Sequence, residues 1–464
     1  MFEREIIGLA GLGVLLGLLI LRAPVGVAMI AVGIGGNFAL SLAVPFLRFE
    51  PYLNQFKTLL WGTVSNYELS VVPLFILMGY LASHGGLSRD LFQGFNALIG
   101  RLRGGVAMAA VVSCAGFGAV CGSSLATAST MGRVALPELD RLKYAPRLAT
   151  GALAAGGTLG ILIPPSVALV LYAIIVEASV IEMFQAAIVP GVIAVLFFVG
   201  VIALLVRIDP SLAPETPILS AAERRRAVMR LLPVLAVFAV IILGLGFGLF
   251  TPTPAAAIGA TLILCYGVAL RWRGSTDGLG LSEIARAIRD TAVTAGMIYL
   301  IIFGAEVLKG FFARAGVPAA MASWTTGTGL DPWLVLILVL IALIVLGCFM
   351  DSLALILVVV PFFWPALVAL NGGDFVTSER AAFGLGTDEL KVWFGIMALV
   401  VVELGLITPP VGLNVFIIAS LARSVPMREI FLGVAPFFTV ELVRVGLLLA
   451  FPALCLALPA YLSG

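Results

Sequence analysis

Apolar stretches of bilayer-spanning length recur along the whole chain, at about 6–21, 24–44, 70–83, 148–176, 186–206, 231–250, 255–270, 291–308, 332–349, 393–422 and 431–460. A hydrocarbon core about 30 Å thick takes roughly 20 apolar residues of helix. In lipid every backbone N–H and C=O must be paired inside the spanning structure, which leaves helices or a closed barrel. Barrel strands alternate apolar and polar residues over roughly ten positions, whereas these runs are continuously apolar. The chain therefore reads as an all-α polytopic membrane protein. Its charged fraction agrees, at 11% of 464 residues against about 25% in soluble domains. A formal net charge of +2 carries no signal for nucleic acid.

Within that frame the segment "LGILIPPS" (159–166) breaks the rule it lies in. Two adjacent prolines remove two donors and interrupt a helix, at about 3 kcal/mol for each interior proline. Carbonyls freed in this way are tolerated in a membrane only beside protein or a wet cavity. The same interruption recurs as "LGLITPPV" (404–411), with Leu, Gly and the proline pair in register. Upstream, "GSSLA" (122–126) matches "MDSLA" (350–354), and Pro137 matches Pro365 at the same offset.

Charge sets the topology. Acids precede the first apolar run and Arg22 follows it, the reverse of a secretory signal peptide, so the first span is expected to be retained with its start on the periplasmic side. Threading the remaining spans places Arg22, Arg101, Arg103, Arg141, Arg224, Arg225 and Arg226, with most other basic residues, on the inner side. That bias holds only if 104–135 and 332–367 each enter and leave by one face, as re-entrant hairpins opening on opposite sides. Opposite entry is what an inverted-topology repeat requires. The basic, proline-containing stretch 206–230 is then the cytoplasmic linker, and Pro45 to Tyr67 is expected to lie along the interface.

The chemistry concentrates at the hairpin tips and the breaks. "CGSSLATAST" (121–130) gathers hydroxyls around one glycine at membrane depth, where turn carbonyls and hydroxyls offer hard oxygen ligands and free N–H groups face an anion. Asp351, the counterpart of Ser123, sits in an apolar run with no base nearby, at a cost of about 2.5–3.5 kcal/mol unless it faces a cavity or a cation. Glu403 is a second candidate acid, the alternative being that it only pairs with a cation near the outer end of its span. The prolines are expected to bare the carbonyls of Gly160 to Ile163 and of Gly405 to Thr408, with Thr408 adding a hydroxyl and Asn414 reaching an anion between the breaks. Sodium, like other hard cations, favours such oxygens. His84 is the only histidine, which excludes a multi-histidine metal site, and Cys114, Cys121, Cys265, Cys348 and Cys455 are scattered as small packing residues.

These segments, with "VPLFILMGYLASHGGLS" (72–88), "GRLRGGVAMAAVVSCAGFGAVCGSSLATASTMGRVALPEL" (100–139), "MDSLALILVVVPFFWPAL" (350–367) and "LITPPVGLNVFIIASLA" (406–422), resemble the large membrane (M) subunit of tripartite ATP-independent periplasmic (TRAP) transporters. The resemblance implies an elevator-type sodium-coupled importer of an organic acid in the bacterial inner membrane. A periplasmic substrate-binding protein would deliver the acid, and a separate small four-helix membrane subunit would complete the scaffold. It also implies two sodium sites, one among Gly122, Ser124 and Gly160 to Pro164 including Ile163, the other among Met350, Asp351, Gly405 and Thr408. The substrate carboxylate would sit near Ser123, Ser124 and Asn414.

On this reading the scaffold takes 1–103 and 186–310, the transport domain 104–185 and 311–430, and a C-terminal helix 431–464. Two sodium ions with a monoanion carry one net charge, worth about 2.3 kcal/mol at 100 mV. Tenfold gradients add about 1.4 kcal/mol per ion, enough for accumulation of several thousandfold. The alternatives are a binding-protein-independent sodium- or proton-coupled anion symporter or antiporter with the same breaks, and an intramembrane hydrolase using Asp351. The hydrolase lacks a second catalytic motif. The stretch "AAFGLGTDELK" (381–391) has no assigned role.

Overall fold

The computed structural model describes residues 2–463 apart from 22, 45, 216–219, 276 and 328. Arg22, Pro45 and the middle of the 206–230 linker thus lie outside the described residues. The chain is helical throughout. It begins with α1 (Phe2–Ile20) and α2 (Val25–Ala43), which pack together. Next, α3 (Glu50–Ser65) meets α4 (Val71–His84) across a bend of 54°. The interfacial stretch expected over 45–67 is largely this α3, a mostly exposed helix that buries only Tyr52 and Thr63. The amphipathic α5 (Leu87–Ile99) follows, burying Leu87, Leu91 and Phe92.

A first helical hairpin comprises α6 (Gly105–Cys121) and α7 (Ser124–Arg141). The helix after it is broken into α8 (Pro146–Leu162) and α9 (Val167–Val176), bent by 45° at the proline pair. Four long helices then run as α10 (Val180–Ile208), α11 (Ala221–Gly246), α12 (Pro252–Trp272) and α13 (Leu281–Ala315), followed by the short α14 (Val317–Gly327). Ser220 and Glu223 close a capping box at the start of α11, which satisfies the first N–H groups as that helix leaves the linker.

A second hairpin, α15 (Pro332–Gly347) with α16 (Ser352–Asn371), precedes a second broken helix, α17 (Thr387–Gly405) and α18 (Leu413–Leu421). The peptide bond within each proline pair is cis. Asn371 donates to the Leu385 carbonyl at 2.9 Å and accepts from the Phe383 N–H at 3.1 Å, which folds the 381–391 region over the root of this hairpin. Phe383 stacks edge-on against Trp333, which in turn meets Trp393.

The chain ends in α19 (Met427–Ala450) and α20 (Ala453–Ser463). This corrects the single C-terminal helix expected over 431–464. Pro452 has no N–H to continue the ladder and pushes Phe451 out of the helical region (φ −131°, ψ 76°), so α20 departs to pack on α10 and α17. Among the described residues seven helices are long and apolar enough to cross a membrane, or nine if each bent pair is one span. The protein is a multi-pass membrane protein.

The two helices that lead into the breaks lie at the centre. Every residue of α8 from Leu148 to Leu162 is buried, as is nearly all of α17. Small residues allow this density, because backbones approach closely only where no side chain intervenes. A Cβ on Gly118 of α6 would lie 2.2 Å from the Gly160 Cα of α8, and one on Gly405 of α17 would lie 2.6 Å from the Gly347 Cα of α15. Each hairpin is therefore pressed, near its tip, against the helix that breaks beside it. On α19, Arg444 is fully buried, paired with Glu441, and donates to the Pro190 carbonyl of α10 at 3.1 Å. That pairing resolves the charge that the sequence places inside a span.

Candidate functional site

Each tip is built by the chain's need to end one helix and start another without room for a loop. At the first tip, Gly122 turns in the left-handed region (φ 62°), where a side chain would be strained. Ser123 is extended and caps α7, its Oγ accepting the Ala126 N–H at 3.4 Å. At the second tip, Asp351 is extended and caps α16, its carboxylate accepting the Leu353 N–H at 3.2 Å. The matched motifs thus adopt matched conformations: Ser123 and Asp351 are the two caps, and Ser124 and Ser352 are the first residues of the outgoing helices.

The tips are seated on the breaks. A Cβ on Gly122 would lie 3.2 Å from the Val167 N and 3.6 Å from the Pro165 O, and one on Gly160 would lie 2.5 Å from Thr127 Oγ1 and 3.0 Å from the Ser123 O. Gly122, Ser123, Gly160 and the Ile163–Pro165 turn are therefore together. On the other side the Cys348 thiol donates to the Pro409 carbonyl at 3.5 Å, which joins the second tip to the second break. Met350 is buried there, while Asp351 and Thr408 are half-buried.

The second break differs from its sequence expectation. The Gly405 carbonyl accepts the Thr408 N–H and the Leu406 carbonyl accepts the Asn414 N–H, both at 3.1 Å, so these two oxygens are paired within the protein. The end of α17 tightens into i→i+3 turns, a common way for a helix terminus to satisfy itself. The Thr408 hydroxyl donates to the Leu404 carbonyl at 2.6 Å and keeps its lone pairs for another partner. The breaks also differ in exposure: Pro164 and Pro165 are buried, whereas Pro409 and Pro410 are exposed.

Asn414 joins the halves. Although it belongs to the second break, it is fully buried and donates to the Ala154 carbonyl of α8 at 3.3 Å. Its Oδ1 has no partner, and neither does the buried Oγ1 of Thr127 beside Gly160. Two orphaned oxygens in a protein interior are costly unless a ligand completes them. Both are hard donors of the kind that sodium takes, so the residues present fit such an ion.

The sequence reading missed one connection. Ser124, expected to face a cation and the substrate, donates its hydroxyl to Glu403 Oε2 at 2.6 Å. Ser352 donates to the other oxygen, Oε1, also at 2.6 Å. Glu403 is 1% exposed, so it is a buried bridge between the tips and not an acid at the end of a span. The signal available in sequence was the alignment of Ser124 with Ser352, two equivalent hydroxyls with one acid in the bundle centre to receive them.

Beside the first tip lies a cavity of about 100 Å³ whose polar lining comes from Ser123, Thr130, Tyr80, Ser83 and Thr294. Tyr80 and Thr294 share a hydrogen bond of 2.8 Å across α4 and α13, and Ser83 lies 3.4 Å from Thr130. Among the described residues none lining this cavity is charged. A solute there is held by hydroxyls and backbone groups.

The family pattern described as Tripartite ATP-independent periplasmic transporter, DctM component, matches residues 12–454. The chain is 34% identical over 428 residues to the C4-dicarboxylate TRAP transporter large permease protein DctM of Pseudomonas aeruginosa, an alignment covering 92% of this chain and 94% of that one. It is 30% identical to the protein of the same description from Rhodobacter capsulatus, covering 94% and 98%. Against the Sialic acid TRAP transporter large permease protein SiaM of Vibrio cholerae the identity is 27%, with 97% of both chains covered. Among solved structures, the Alcanivorax borkumensis YdaH transporter superposes with a TM-score of 0.63 at 14% identity, covering 87% of this chain and 89% of that one. That likeness concerns the fold.

Proposed function

Because the chain belongs to the DctM-component family of tripartite ATP-independent periplasmic transporters, and is thus a transporter component and not an enzyme, we propose that it carries an organic anion inward across the bacterial inner membrane with sodium ions. The observation that carries this reading is the pair of unpartnered buried oxygens, Thr127 Oγ1 and Asn414 Oδ1, where the first tip meets α8. In the proposed cycle one sodium ion is held around Gly122, the Ser123 carbonyl, the Thr127 hydroxyl and Gly160 to Pro164, the Ser124 hydroxyl expected there being taken by Glu403. A second is held around Met350, Asp351 and the Gly405–Thr408 turn, where Asp351 supplies a carboxylate.

The Ser123 hydroxyl and the second amide N–H of Asn414 orient the substrate carboxylate while the Asn414 Oδ1 faces the cation, and the uncharged cavity beside Ser123 receives part of the molecule. Binding the anion without a fixed basic residue makes its affinity depend on the sodium ions beside it, which is a physical route to coupling. The hairpins and broken helices move together against α2, α4, α12 and α13 as an elevator. A small four-helix membrane subunit and a periplasmic binding protein complete the system. The substrate is an organic acid, with C4-dicarboxylates and sialic acid as the first candidates because those names accompany relatives of high coverage.

The test is uptake into proteoliposomes holding this chain and its small subunit, with the cognate binding protein outside and labelled organic acids offered in turn. Uptake is expected only with an inward sodium gradient and a loaded binding protein. Equal uptake in potassium would refute sodium coupling. Uptake without the binding protein would favour a binding-protein-independent symporter.

A further inference from the structure

The Glu403 bridge has no part in the cycle above. It lies on α17 two residues before Gly405, where that helix ends at the second break. Its two oxygens accept from Ser124, 279 residues away in sequence, and from Ser352, 51 residues away, each at 2.6 Å. Both serines are buried, and both are the first residue of the helix leaving a hairpin tip. Among the described residues Glu403 belongs to no ion pair. A buried acid with only hydroxyl partners is a poor device for stability, since well-packed apolar residues in such a place do as well or better. One carboxylate holding equivalent serines of two separate hairpins is, in contrast, a direct way to make two elements share one position.

We propose that Glu403 is a positioning residue that ties the two hairpin tips together, so that a displacement of one is transmitted to the other. The tie has two arms, Ser124–Glu403 and Glu403–Ser352, in series. Cutting either arm uncouples the tips: the cut tip loses its bond to Glu403, and the other keeps its own bond but loses the support transmitted through it. Ser123 and Asp351, the caps next to these serines, are thereby held in fixed relation, and loading at one tip favours the loaded geometry at the other. This last consequence rests on the transport reading above; the tie itself does not.

Hydrogen–deuterium exchange on the full-length chain in lipid nanodiscs, with neither sodium nor organic acid added, tests the tie alone. Ser352→Ala is expected to speed exchange in peptides spanning 118–127, in the hairpin that does not carry the change, by about two- to fivefold, the scale of a coupling between neighbouring groups, since Ser124 keeps its own bond to Glu403. Ser124→Ala is expected to do the same across 348–355. Glu403→Leu should loosen both tips, and Glu403→Gln, which retains one acceptor and one donor for the two hydroxyls, should leave both near wild type. Loosening confined to the mutated hairpin, or a Glu403→Leu chain with both tips unchanged, would overturn the proposal. Because no cation or substrate is present, a negative result leaves the transport reading standing, and a failed uptake assay leaves the tie standing.

Discussion

Gly160→Ala is the perturbation whose consequence is most fully fixed by geometry. The added Cβ would lie 2.5 Å from Thr127 Oγ1, 3.0 Å from the Thr127 Cβ and 3.0 Å from the Ser123 carbonyl oxygen. Rotating Thr127 relieves the first contact only. The other two involve a Cβ and a backbone oxygen, so the first tip must shift from α8 by a few tenths of an ångström. Overpacking of this kind costs about 1–3 kcal/mol. Alanine is also a better helix former than glycine, by about 1 kcal/mol. That gain is common to loaded and unloaded states, because α8 is helical in both, and it cancels from the affinity. The strain does not cancel, since it falls on the seated tip that presents the Ser123 carbonyl. The sodium concentration for half-maximal uptake should therefore rise by about 5–150-fold. Gly200→Ala is the control: nothing lies within 4 Å of its Cβ, and it should leave sodium activation unchanged. A Gly160→Ala protein with the wild-type sodium curve would refute the reasoning, because the first tip would then have no bearing on cation binding.

Asp351→Asn keeps a side-chain oxygen for the Leu353 N–H and removes the charge, so sodium activation should be lost while thermal stability by size-exclusion assay stays near wild type. Asp351→Ala should in addition lose the cap, about 0.5–2 kcal/mol. Replacing Pro409 and Pro410 by Ala changes exposed side chains, so the protein should express normally while uptake is abolished as α17 and α18 become continuous. Arg444→Met leaves Glu441 buried without its partner and should destabilise the chain by about 3–5 kcal/mol, whereas the double change with Glu441→Leu should recover most of that loss in a thermal-shift measurement.

The breaks were legible because their signal is local, and the hairpins because the charge bias along the whole chain required them. A proline pair interrupts a helix whatever surrounds it, and the matched Gly-Ser-Ser and Met-Asp-Ser segments marked where the two hairpins turn. What escaped were distances through space. Glu403 precedes "LGLITPP" in a way that fits an acid near a span end, and only packing shows it 2.6 Å from two serines of different hairpins. The pairing of the Gly405 and Leu406 carbonyls was hidden for a related reason. Proline tells where a ladder is interrupted, and the compensating turns depend on where the chain goes next, here to the Asn414 N–H. Pro452 was visible, but the apolar run around it masked the bend between α19 and α20.

Binding of radioactive sodium to the purified chain, counted as ions per protein at equilibrium, bears most directly on the proposed site. Two ions per chain are expected for the wild type, falling to one in Asp351→Asn and to one in Gly160→Ala at concentrations that saturate the wild type. Wild-type protein that binds no sodium, or both variants retaining the full count, would contradict the assignment of the tips and breaks as cation sites.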